Sequence, residues 1–274
     1  MKVERSDERL ALTIELLDGF VRAPTDDQRR LILRRVADEV VGELAEMDRI
    51  APGFVANEPF APYTQEWQDA PATYSDSELL IDGQEVMQDW EAPLMRAMAD
   101  RAAASHGDVL EIGFGMGISA TYLQELGVRS HTIVEPNEGV IEAFERWRAQ
   151  YPDRDIRLIK GFWEDVVDQL GRYDGVLYDP YPTAAEGERA PGTTSNLDDP
   201  FYAVAASVLR PDGIFSHFTD EIDSLSRPHQ RYLLQYFERV EVEIVRGLKP
   251  LAGCTYFWAD SMAVVSATRP RAVE

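Results

Sequence analysis

A glycine-rich turn is the first feature of this sequence that could bind a ligand. Gly113, Gly115 and Gly117 follow the apolar run DVLEI and precede a helical pattern. Glycines at such a turn let a ligand approach backbone N–H groups that larger side chains would cover. The next strand-like run, HTIVEP, ends near Glu135, whose carboxylate could accept hydrogen bonds from two ribose hydroxyls. The turn and the acid together predict a site for a ligand that contains a nucleoside. Close packing of the turn is the structural alternative.

The spacing of the glycines bears on which nucleoside ligand binds. In the G-x-G-x-x-G loop of nicotinamide-binding proteins the third glycine would stand at Ile118, so here it falls one residue early. Downstream, Trp163 and Glu164 in KGFWEDV follow another strand-like run, where an adenine could lie against an aromatic wall. Core packing is the alternative role for Trp163. The loop spacing therefore disfavours a nicotinamide dinucleotide. An acid such as Glu135 serves sites for nicotinamide dinucleotides and for S-adenosylmethionine alike, so it does not choose between these ligands.

Two carboxylates could act on a bound group. Asp179 ends the strand-like run YDGVLYD, and two prolines stiffen the loop that follows it. Glu91, in DWEAPLM, lies in the first turn of a predicted helix, where the helix dipole commonly favours an acid. The end of its strand places Asp179 near a reactive group, whereas the spacing of Glu91 alone indicates an ordinary helix acid.

Alternating strands and helices from about residue 78 must position these groups. A helical pattern, VMQDWEAPLMRAMADRAA, comes first, and seven strand-like runs follow it, most of them separated by helical stretches. This alternation predicts an α/β fold with a mostly parallel seven-stranded sheet covered by helices on both faces. In such sheets, ligands bind beyond the carboxyl ends of the strands, where the strand order reverses. The seven runs are DVLEIGF, HTIVEP, DIRLIKG, YDGVLYDP, GIFSHF, VEVEIVRGL and MAVVSAT.

The N-terminal residues form a separate part of the pattern. Helical apolar spacing covers residues 8–23 and 26–48, and Thr25 with Gln28 forms a capping-box pattern before the second run. Two such amphipathic helices must pack on the main domain or on a second copy of the chain, which would make a homodimer. We therefore expect three parts: a helical extension over residues 1–50, an ordered linker that covers the active site over 51–77, and the α/β domain over 78–274.

Composition narrows the possible partners. The 27 Lys and Arg against 49 Asp and Glu give a formal net charge of -22, so the average surface repels nucleic acid and anionic lipid. Cys254 is the single cysteine, which permits no intrachain disulfide, and the four histidines show no metal-ligand spacing. The N-terminus lacks the apolar core of a signal peptide, and no run is long enough to span a bilayer. We expect a cytoplasmic protein with no metal, no nucleic-acid partner and no membrane partner.

Several motifs resemble the class I S-adenosylmethionine-dependent methyltransferases, and among these guanidinoacetate N-methyltransferase and its arginine-methylating relatives. The resemblance runs from about Trp67 to the last strand, and the pairing of VMxxWExPxM with LYDxYP is its most specific part. It implies a Rossmann-like fold, S-adenosylmethionine as the cofactor and methyl transfer to a guanidino nitrogen. The motifs are EWQDAPATY, LLIDGQEVMQDWEAPLM, VLEIGFGMGIS, KGFWEDV, YDGVLYDPYP and GCTYFW.

The resemblance also implies the site residues. Glu91 and Asp179 would hold a guanidinium between them, with Asp179 as the base and Glu91 as the clamp. A guanidinium has a pKa of about 12.5 or higher, so it binds protonated and must lose a proton to be methylated. The expected cofactor contacts are Glu111, Gly113, Gly115, Gly117, Glu135, Trp163, Glu164, Met87, Met95 and Tyr74. The expected substrate contacts are Trp67, Tyr181, His217, Thr219, Asp220 and Glu221, with an ordinary core position as the alternative for the histidine.

Two departures from the family pattern bear on the substrate. FTDEID follows the fifth strand, and the loop PTAAEGERAPGTTSN is longer and more acidic than the family pattern. Acids in these segments could receive the ammonium group of an α-amino acid, so we expect free L-arginine in preference to guanidinoacetate. A solvated acidic turn is the alternative. The acids are Asp220, Glu221, Asp223, Glu186 and Glu188.

Other functions remain as alternatives. Aspartate, proline and tyrosine after the fourth strand also occur in amino methyltransferases that act on DNA bases, but the net charge of -22 argues against a DNA groove. A nicotinamide-dependent dehydrogenase is disfavoured by the glycine spacing and by the lack of a convincing catalytic Lys, Tyr or His set. The glycine turn and both carboxylates disfavour a non-catalytic scaffold. The acidic surface could attract a protein arginine substrate, whereas the closing elements around Trp67 favour a small molecule.

Overall fold

A computed structural model of the chain describes residues 65–180 and 201–272. By its internal contacts the chain divides into two units, residues 1–59 and 60–274, and every described residue belongs to the second. The predicted helical extension and most of the predicted linker lie outside the described residues. So do three candidate site residues: Tyr181, Glu186 and Glu188.

The described residues begin with a small antiparallel sheet between two helices: α1 (Gln65–Asp69), β1 (Ala72–Tyr74), β2 (Glu78–Ile81), β3 (Gln84–Gln88) and α2 (Ala92–Ala102). The strand order is β1-β2-β3. The prediction of a helix from Val86 is wrong, because the chain stays extended through Gln88 and pairs with β2. A 3-10 turn, Asp89–Glu91, then leads into α2. A capping box explains the late start, since the Glu91 carboxylate accepts the N–H of Gln88 and stops the strand there.

Seven further strands form the main sheet: β4 (Asp108–Ile112), β5 (Ser130–Glu135), β6 (Ile156–Lys160), β7 (Tyr173–Tyr178), β8 (Leu209–His217), β9 (Phe237–Arg246) and β10 (Ser261–Pro270). Their order across the sheet is β6-β5-β4-β7-β8-β10-β9. Strands β4 to β8 run parallel, and β10 is antiparallel to both of its neighbours. This confirms the predicted α/β fold with a mostly parallel seven-stranded sheet.

Helices cover both faces of this sheet, as expected from the buried character of its strands. Successive residues of a strand point to opposite faces. Val109 of β4 belongs to the same apolar layer as Met98 of α2 and Phe144 of the helix Glu138–Arg148, whereas Leu110 belongs to the opposite layer with Phe201 of the helix Phe201–Val208. No helix within the described ranges has both the length and the apolar character needed to cross a membrane. The remaining helices are α3 (Ile118–Glu125), α4 (Glu138–Arg148), α5 (Trp163–Val166), α6 (Phe201–Val208) and α7 (Arg227–Tyr236).

The strand order reverses beside β4, which creates the place where this fold class binds ligands. The chain continues from β4 to β5 on one side, and β7 lies on the other side. Ile112, at the end of β4, stands opposite Val134 of β5 and Tyr178 of β7. The carboxyl ends of the three strands therefore meet at one edge of the sheet. The groups brought to this edge are Gly113, Glu135 and Asp179.

Candidate active site

The small sheet holds the glycine-rich turn between β4 and α3. The Tyr74 hydroxyl donates a hydrogen bond to the carbonyl oxygen of Gly115 at 2.9 Å, and the Met116 N–H donates to the sulfur of Met87 at 3.3 Å. Gly115 has a φ of 53°, and a β-carbon there would lie 2.7 Å from that sulfur. Burial and the charge of Glu135 raise the pKa of Tyr74, which keeps its hydroxyl a donor. Tyr74 and Met87, two expected cofactor contacts, thus line the turn against which a cofactor would lie.

Glu135 ends β5 beside this turn and is 6% exposed. One carboxylate oxygen accepts the N–H of Phe114 at 2.9 Å, and the other accepts the N–H of Asn137 at 3.0 Å. Burial raises the pKa of Glu135 to about 7, although these hydrogen bonds act in the opposite direction. Each oxygen has a second acceptor position. The acid therefore fits the task of accepting ribose hydroxyls at this edge of the sheet.

Glu111 is fully buried in β4, below the glycine-rich turn. It accepts a hydrogen bond from the Ser119 hydroxyl of α3, and its other oxygen lies 2.8 Å from Nε2 of His131 in β5. These contacts join α3 to the sheet and so support the turn. Contact between Glu111 and the cofactor stays a prediction.

Three further expected cofactor contacts differ in exposure. Trp163 packs edge-on against Phe201, with ring centroids 5.0 Å apart, and its indole N–H has no hydrogen-bond partner within the described part of the chain. Because buried indole N–H groups usually find an acceptor, this donor is available to one. Met95 is fully buried in the apolar layer of α2, and Glu164 is exposed. Their contacts with a cofactor stay predictions.

Glu91 is a buried acid, 3% exposed, at the junction of the 3-10 turn and α2. Its Oε1 accepts two hydrogen bonds, from the Gln88 N–H at 2.8 Å and from the Tyr256 hydroxyl at 2.6 Å. Burial raises the pKa of Glu91 to about 7; the carboxylate of Asp220 acts in the same direction and the two hydrogen bonds oppose it. The carboxylate is therefore held in place and poorly stabilised as an anion until a cation binds.

Asp179 directly follows β7, and its N–H donates to the carbonyl oxygen of Ile112 at 3.1 Å. Burial raises the pKa of Asp179 well above its ordinary range, and the charges of Glu91 and Asp220 add to this effect. Three carboxylates from β7, the 3-10 turn and the segment after β8 thus converge at one edge of the sheet. Converging acids repel one another and attract a cation.

The segment after β8 alternates in exposure. His217, Thr219 and Glu221 are buried, whereas Phe218 and Asp220 are half-buried. The backbone is not extended throughout this segment, because Asp220 has a φ of 57°. Asp220 is the acid of this segment that raises the pKa values of Glu91 and Asp179. Contact of Asp220 and Glu221 with a substrate ammonium stays a prediction.

Thr219 and Glu221 make contacts that stabilise the fold. The Thr219 hydroxyl donates to the carbonyl oxygen of Ala263 in β10 at 2.6 Å. Both Glu221 oxygens accept the Ser226 N–H at 3.0 Å, and one lies 3.0 Å from Nδ1 of His229. Glu221 therefore holds the start of α7, where exposed N–H groups favour an acid.

His217 belongs to a buried polar cluster that it shares with α6 and α7. Its Nε2 lies 2.8 Å from Nε2 of His229 and 3.1 Å from the Tyr202 hydroxyl. Burial and the charge of His229 lower the pKa of His217 well below its ordinary value. This arrangement agrees with the core position that was the alternative, and contact between His217 and a substrate stays a prediction.

Trp67 of α1 is half-buried against the apolar core, and its carbonyl oxygen accepts the side-chain N–H of Asn137 at 2.8 Å. This bond ties α1 to the start of α4. Contact between Trp67 and a substrate stays a prediction. In residues 65–180 and 201–272, no group of three or more His, Cys, Asp or Glu side chains is arranged to hold a metal ion.

The family model described as guanidinoacetate N-methyltransferase matches residues 60–224, more than half of the chain. The chain belongs to the guanidinoacetate N-methyltransferase family. The matched range contains the glycine-rich turn, Glu135 and all three converging acids. The family confirms the resemblance seen in the motifs and makes the chain a class I S-adenosylmethionine-dependent methyltransferase.

Curated relatives in this group are named protein arginine N-methyltransferase 2. The one from Candida glabrata is 31% identical over 144 residues, covering 48% of this chain and 32% of the relative. The one from Yarrowia lipolytica is 34% identical over 161 residues, covering 53% of this chain and 31% of the relative. The matched part thus spans about a third of these relatives. Spermidine synthase from Thermotoga maritima, 16% identical with a TM-score of 0.50, covers 73% of this chain and 72% of its own, and supports the fold alone.

Tyr256 contacts Glu91, and the sequence did not predict this contact. It lies beyond the matched range, in the GCTYFW motif between β9 and β10. The neighbouring Phe257 stacks on Trp90 with ring centroids 5.4 Å apart, which brings the segment against Glu91. The aromatic run was visible in the sequence, but its contact with a residue 165 positions earlier was not.

Proposed function

We propose that the chain transfers a methyl group from S-adenosylmethionine to a guanidino nitrogen of a small guanidino amino acid, with free L-arginine as the first candidate. The convergence of Glu91, Asp179 and Asp220 beside the glycine-rich turn carries this proposal. A planar cation with several N–H donors offsets this negative charge and meets the acceptor geometry of carboxylates.

The mechanism assigns separate tasks to the two family carboxylates. S-adenosylmethionine, when bound, supplies an electrophilic methyl group on a positively charged sulfur. Glu91 accepts N–H groups of the guanidinium and holds its plane. Asp179 accepts the proton that the attacking nitrogen loses, and its raised pKa makes it a stronger base than an exposed aspartate. The charges of both acids also offset the repulsion between the guanidinium and the sulfonium.

Asp220 is the feature that favours L-arginine over guanidinoacetate. The half-buried Asp220, held with a φ of 57°, adds a third negative charge beside the guanidinium site. The α-ammonium group of L-arginine would gain from this charge and offset the repulsion of its carboxylate, whereas guanidinoacetate has a carboxylate and no ammonium group. Because Glu221 serves the start of α7, the preference for an amino acid depends on Asp220.

Two other acceptors have specific support. The family description favours guanidinoacetate. The names of the curated relatives favour arginine in a protein, and the net charge of -22 would attract basic segments. With either acceptor, Glu91 and Asp179 would keep their proposed roles. The two acceptors differ only in the part of the molecule that is attached to the guanidinium.

The test is methyl transfer from labelled S-adenosylmethionine to L-arginine, guanidinoacetate, agmatine and a basic peptide, each assayed alone with mass spectrometry of the product. We expect arginine and agmatine, which both carry an ammonium group, to exceed guanidinoacetate. Asp220→Asn should reduce this difference. A guanidinoacetate preference would overturn the assignment of L-arginine, and the absence of transfer to every acceptor would overturn the proposed function.

A cytoplasmic location and a homodimer formed through residues 1–50 complete the proposal. The N-terminal residues lie outside the described part of the chain, so the dimer rests on their amphipathic sequence pattern. Light scattering of the full chain and of a chain that begins at residue 51 would test it, since the second should then be a monomer.

A further inference from the structure

Glu91 receives both of its hydrogen bonds on one oxygen. The Tyr256 hydroxyl and the Gln88 N–H donate to Oε1 at 2.6 and 2.8 Å. No donor from the described ranges reaches Oε2. A carboxylate has about four acceptor positions, two on each oxygen. Oε1 is therefore saturated by the protein, and both positions on Oε2 are left for a ligand.

The segment that carries Tyr256 is anchored on both sides of the tyrosine. The Thr255 N–H donates to the Glu85 carboxylate at 2.8 Å. Phe257 is buried and stacks on Trp90 with an interplanar angle of 10°. The Tyr256 hydroxyl therefore reaches Glu91 from a fixed segment. Burial and the charge of Glu91 raise the pKa of Tyr256, so its hydroxyl remains a donor.

We propose that Tyr256 is a positioning residue for the guanidinium-binding carboxylate, because its hydroxyl occupies Oε1 and turns Oε2 of Glu91 toward the substrate. The proposal rests on the proposed function and extends it to a residue outside the family match over residues 60–224.

The arrangement also determines how the two acids share the guanidinium. A carboxylate needs both oxygens to bind a guanidinium edge through two parallel hydrogen bonds. With Oε1 occupied, Glu91 binds the cation through Oε2 alone. The two-oxygen contact is then left to Asp179, the proposed base. Tyr256 thereby directs one particular edge of the guanidinium to the residue that removes the proton.

Tyr256→Phe removes the hydroxyl and keeps the ring. We expect the KM for the guanidino acceptor to rise about tenfold, because a hydrogen bond to a charged group is lost. The kcat at alkaline pH and the Kd for S-adenosylmethionine should change less than about threefold, since the base and the glycine-rich turn are retained. The acidic limb of kcat/KM should move to higher pH, because the lost bond lowers the pKa of Glu91 in the parent protein.

Tyr173→Phe is the matched control. Tyr173 is also buried, and its hydroxyl accepts the Gly171 N–H at 3.2 Å, at the opposite end of β7 from Asp179. Tyr173→Phe should leave the KM for the guanidino acceptor and the pH profile of kcat/KM unchanged. In a Glu91→Gln background, Tyr256→Phe should add little to the KM if the tyrosine acts through Glu91. An undiminished effect in that background would overturn the proposal.

A second readout needs no turnover. The carboxyl carbon of Glu91, assigned by its loss in Glu91→Gln, can be titrated by NMR in protein labelled at glutamate. The Glu91 pKa of about 7 should rise by about one pH unit in Tyr256→Phe and stay the same in Tyr173→Phe. An unchanged titration in Tyr256→Phe would overturn the positioning role. If no guanidino compound is methylated, the proposed function fails while this titration still decides the role of Tyr256.

Discussion

The carbonyl oxygen of Asp179 lies 2.5 Å from the position that a β-carbon on Gly113 would occupy. Gly113 follows β4 and Asp179 follows the adjacent parallel strand β7, so the turn for the cofactor and the proposed base pack directly on each other. The geometry of the two sites is therefore set by one contact, and a change on either side is expected to affect both.

Gly113→Ala should weaken S-adenosylmethionine binding by more than about tenfold and reduce turnover further. Its β-carbon must displace the backbone of Asp179, and its φ of 87° is strained for alanine. Gly127→Ala is the control, because Gly127 has a φ of 71° but nothing within 4 Å of the added carbon. Calorimetric titration with S-adenosylmethionine measures the Kd of each variant. Equal losses in both variants would mean that backbone strain, not the contact with Asp179, is responsible.

Asp179→Asn should lower kcat by about 100-fold or more, because the amide cannot accept the proton from the guanidinium. Acceptor binding should weaken less, since Glu91 and Asp220 remain. The acidic limb of the pH–rate profile that belongs to the raised pKa of Asp179 should also disappear. Asp168→Asn, an exposed acid after α5, is the control and should behave as the parent. Near-normal turnover of Asp179→Asn with unchanged binding would show that Asp179 is not the base.

Local patterns in the sequence predicted the sheet, the glycine-rich turn and the strand-end acids correctly. Each of these depends on residues close together in the chain, such as the apolar run before Gly113 or the strand that ends at Tyr178. Parallel strands then bring their carboxyl ends to the same edge without further information. This is why Glu135 and Asp179 could be placed from the sequence.

The rest of the site depends on side-chain direction and on contacts across the chain. Asp220 and Glu221 are adjacent acids that differ in exposure, Asp220 being half-buried and Glu221 buried, and the sequence treated them as one group. Tyr256 meets Glu91 across 165 positions. For Glu91, the predicted position as a helix-start acid is confirmed, since Oε1 accepts the Gln88 N–H. Its role as a clamp, which would use Oε2, stays a prediction. Spacing alone does not separate the two oxygens.

Glu91→Gln should be more stable than the parent at pH 8 and equal to it below about pH 4.5. Burial raises the folded-state pKa of Glu91 from 4.5 to about 7. Between these values the folded chain binds a proton that the unfolded chain has released, so this contribution to stability is lost as the pH rises through 7. Removing the buried charge should raise the free energy of unfolding by about 3 kcal/mol at pH 8.

Urea unfolding at pH 5 and pH 8 measures this effect. Glu142→Gln, on the exposed face of α4, is the control for loss of one negative charge and should show no such pH dependence. A Glu91→Gln protein that is less stable than the parent at pH 8 would mean that the buried carboxylate is already compensated without a bound cation.

His217→Gln should make stability less sensitive to acid than it is in the parent. Burial and the charge of His229 lower the folded-state pKa of His217 well below 6.5. As the pH falls below 6.5, His217 binds a proton in the unfolded chain but stays neutral in the folded chain. The contribution of His217 to the free energy of unfolding, which is present above pH 6.5, is therefore lost. The acids with raised pKa values change stability in the opposite direction. The comparison that isolates the histidine is therefore the difference between the variant and the parent.

Relative to the parent, the free energy of unfolding of His217→Gln should increase by up to about 1.4 kcal/mol for each pH unit below 6.5. Ser216→Ala is the control, because Ser216 is a buried neighbour that carries no titrating group. Activity should respond as well, since His217 begins the segment that leads to Asp220, and protonation next to His229 would disturb the contact of His229 with Glu221. Parallel stability curves for parent and variant between pH 7.5 and 5 would show instead that the cluster takes up its proton without loss of structure.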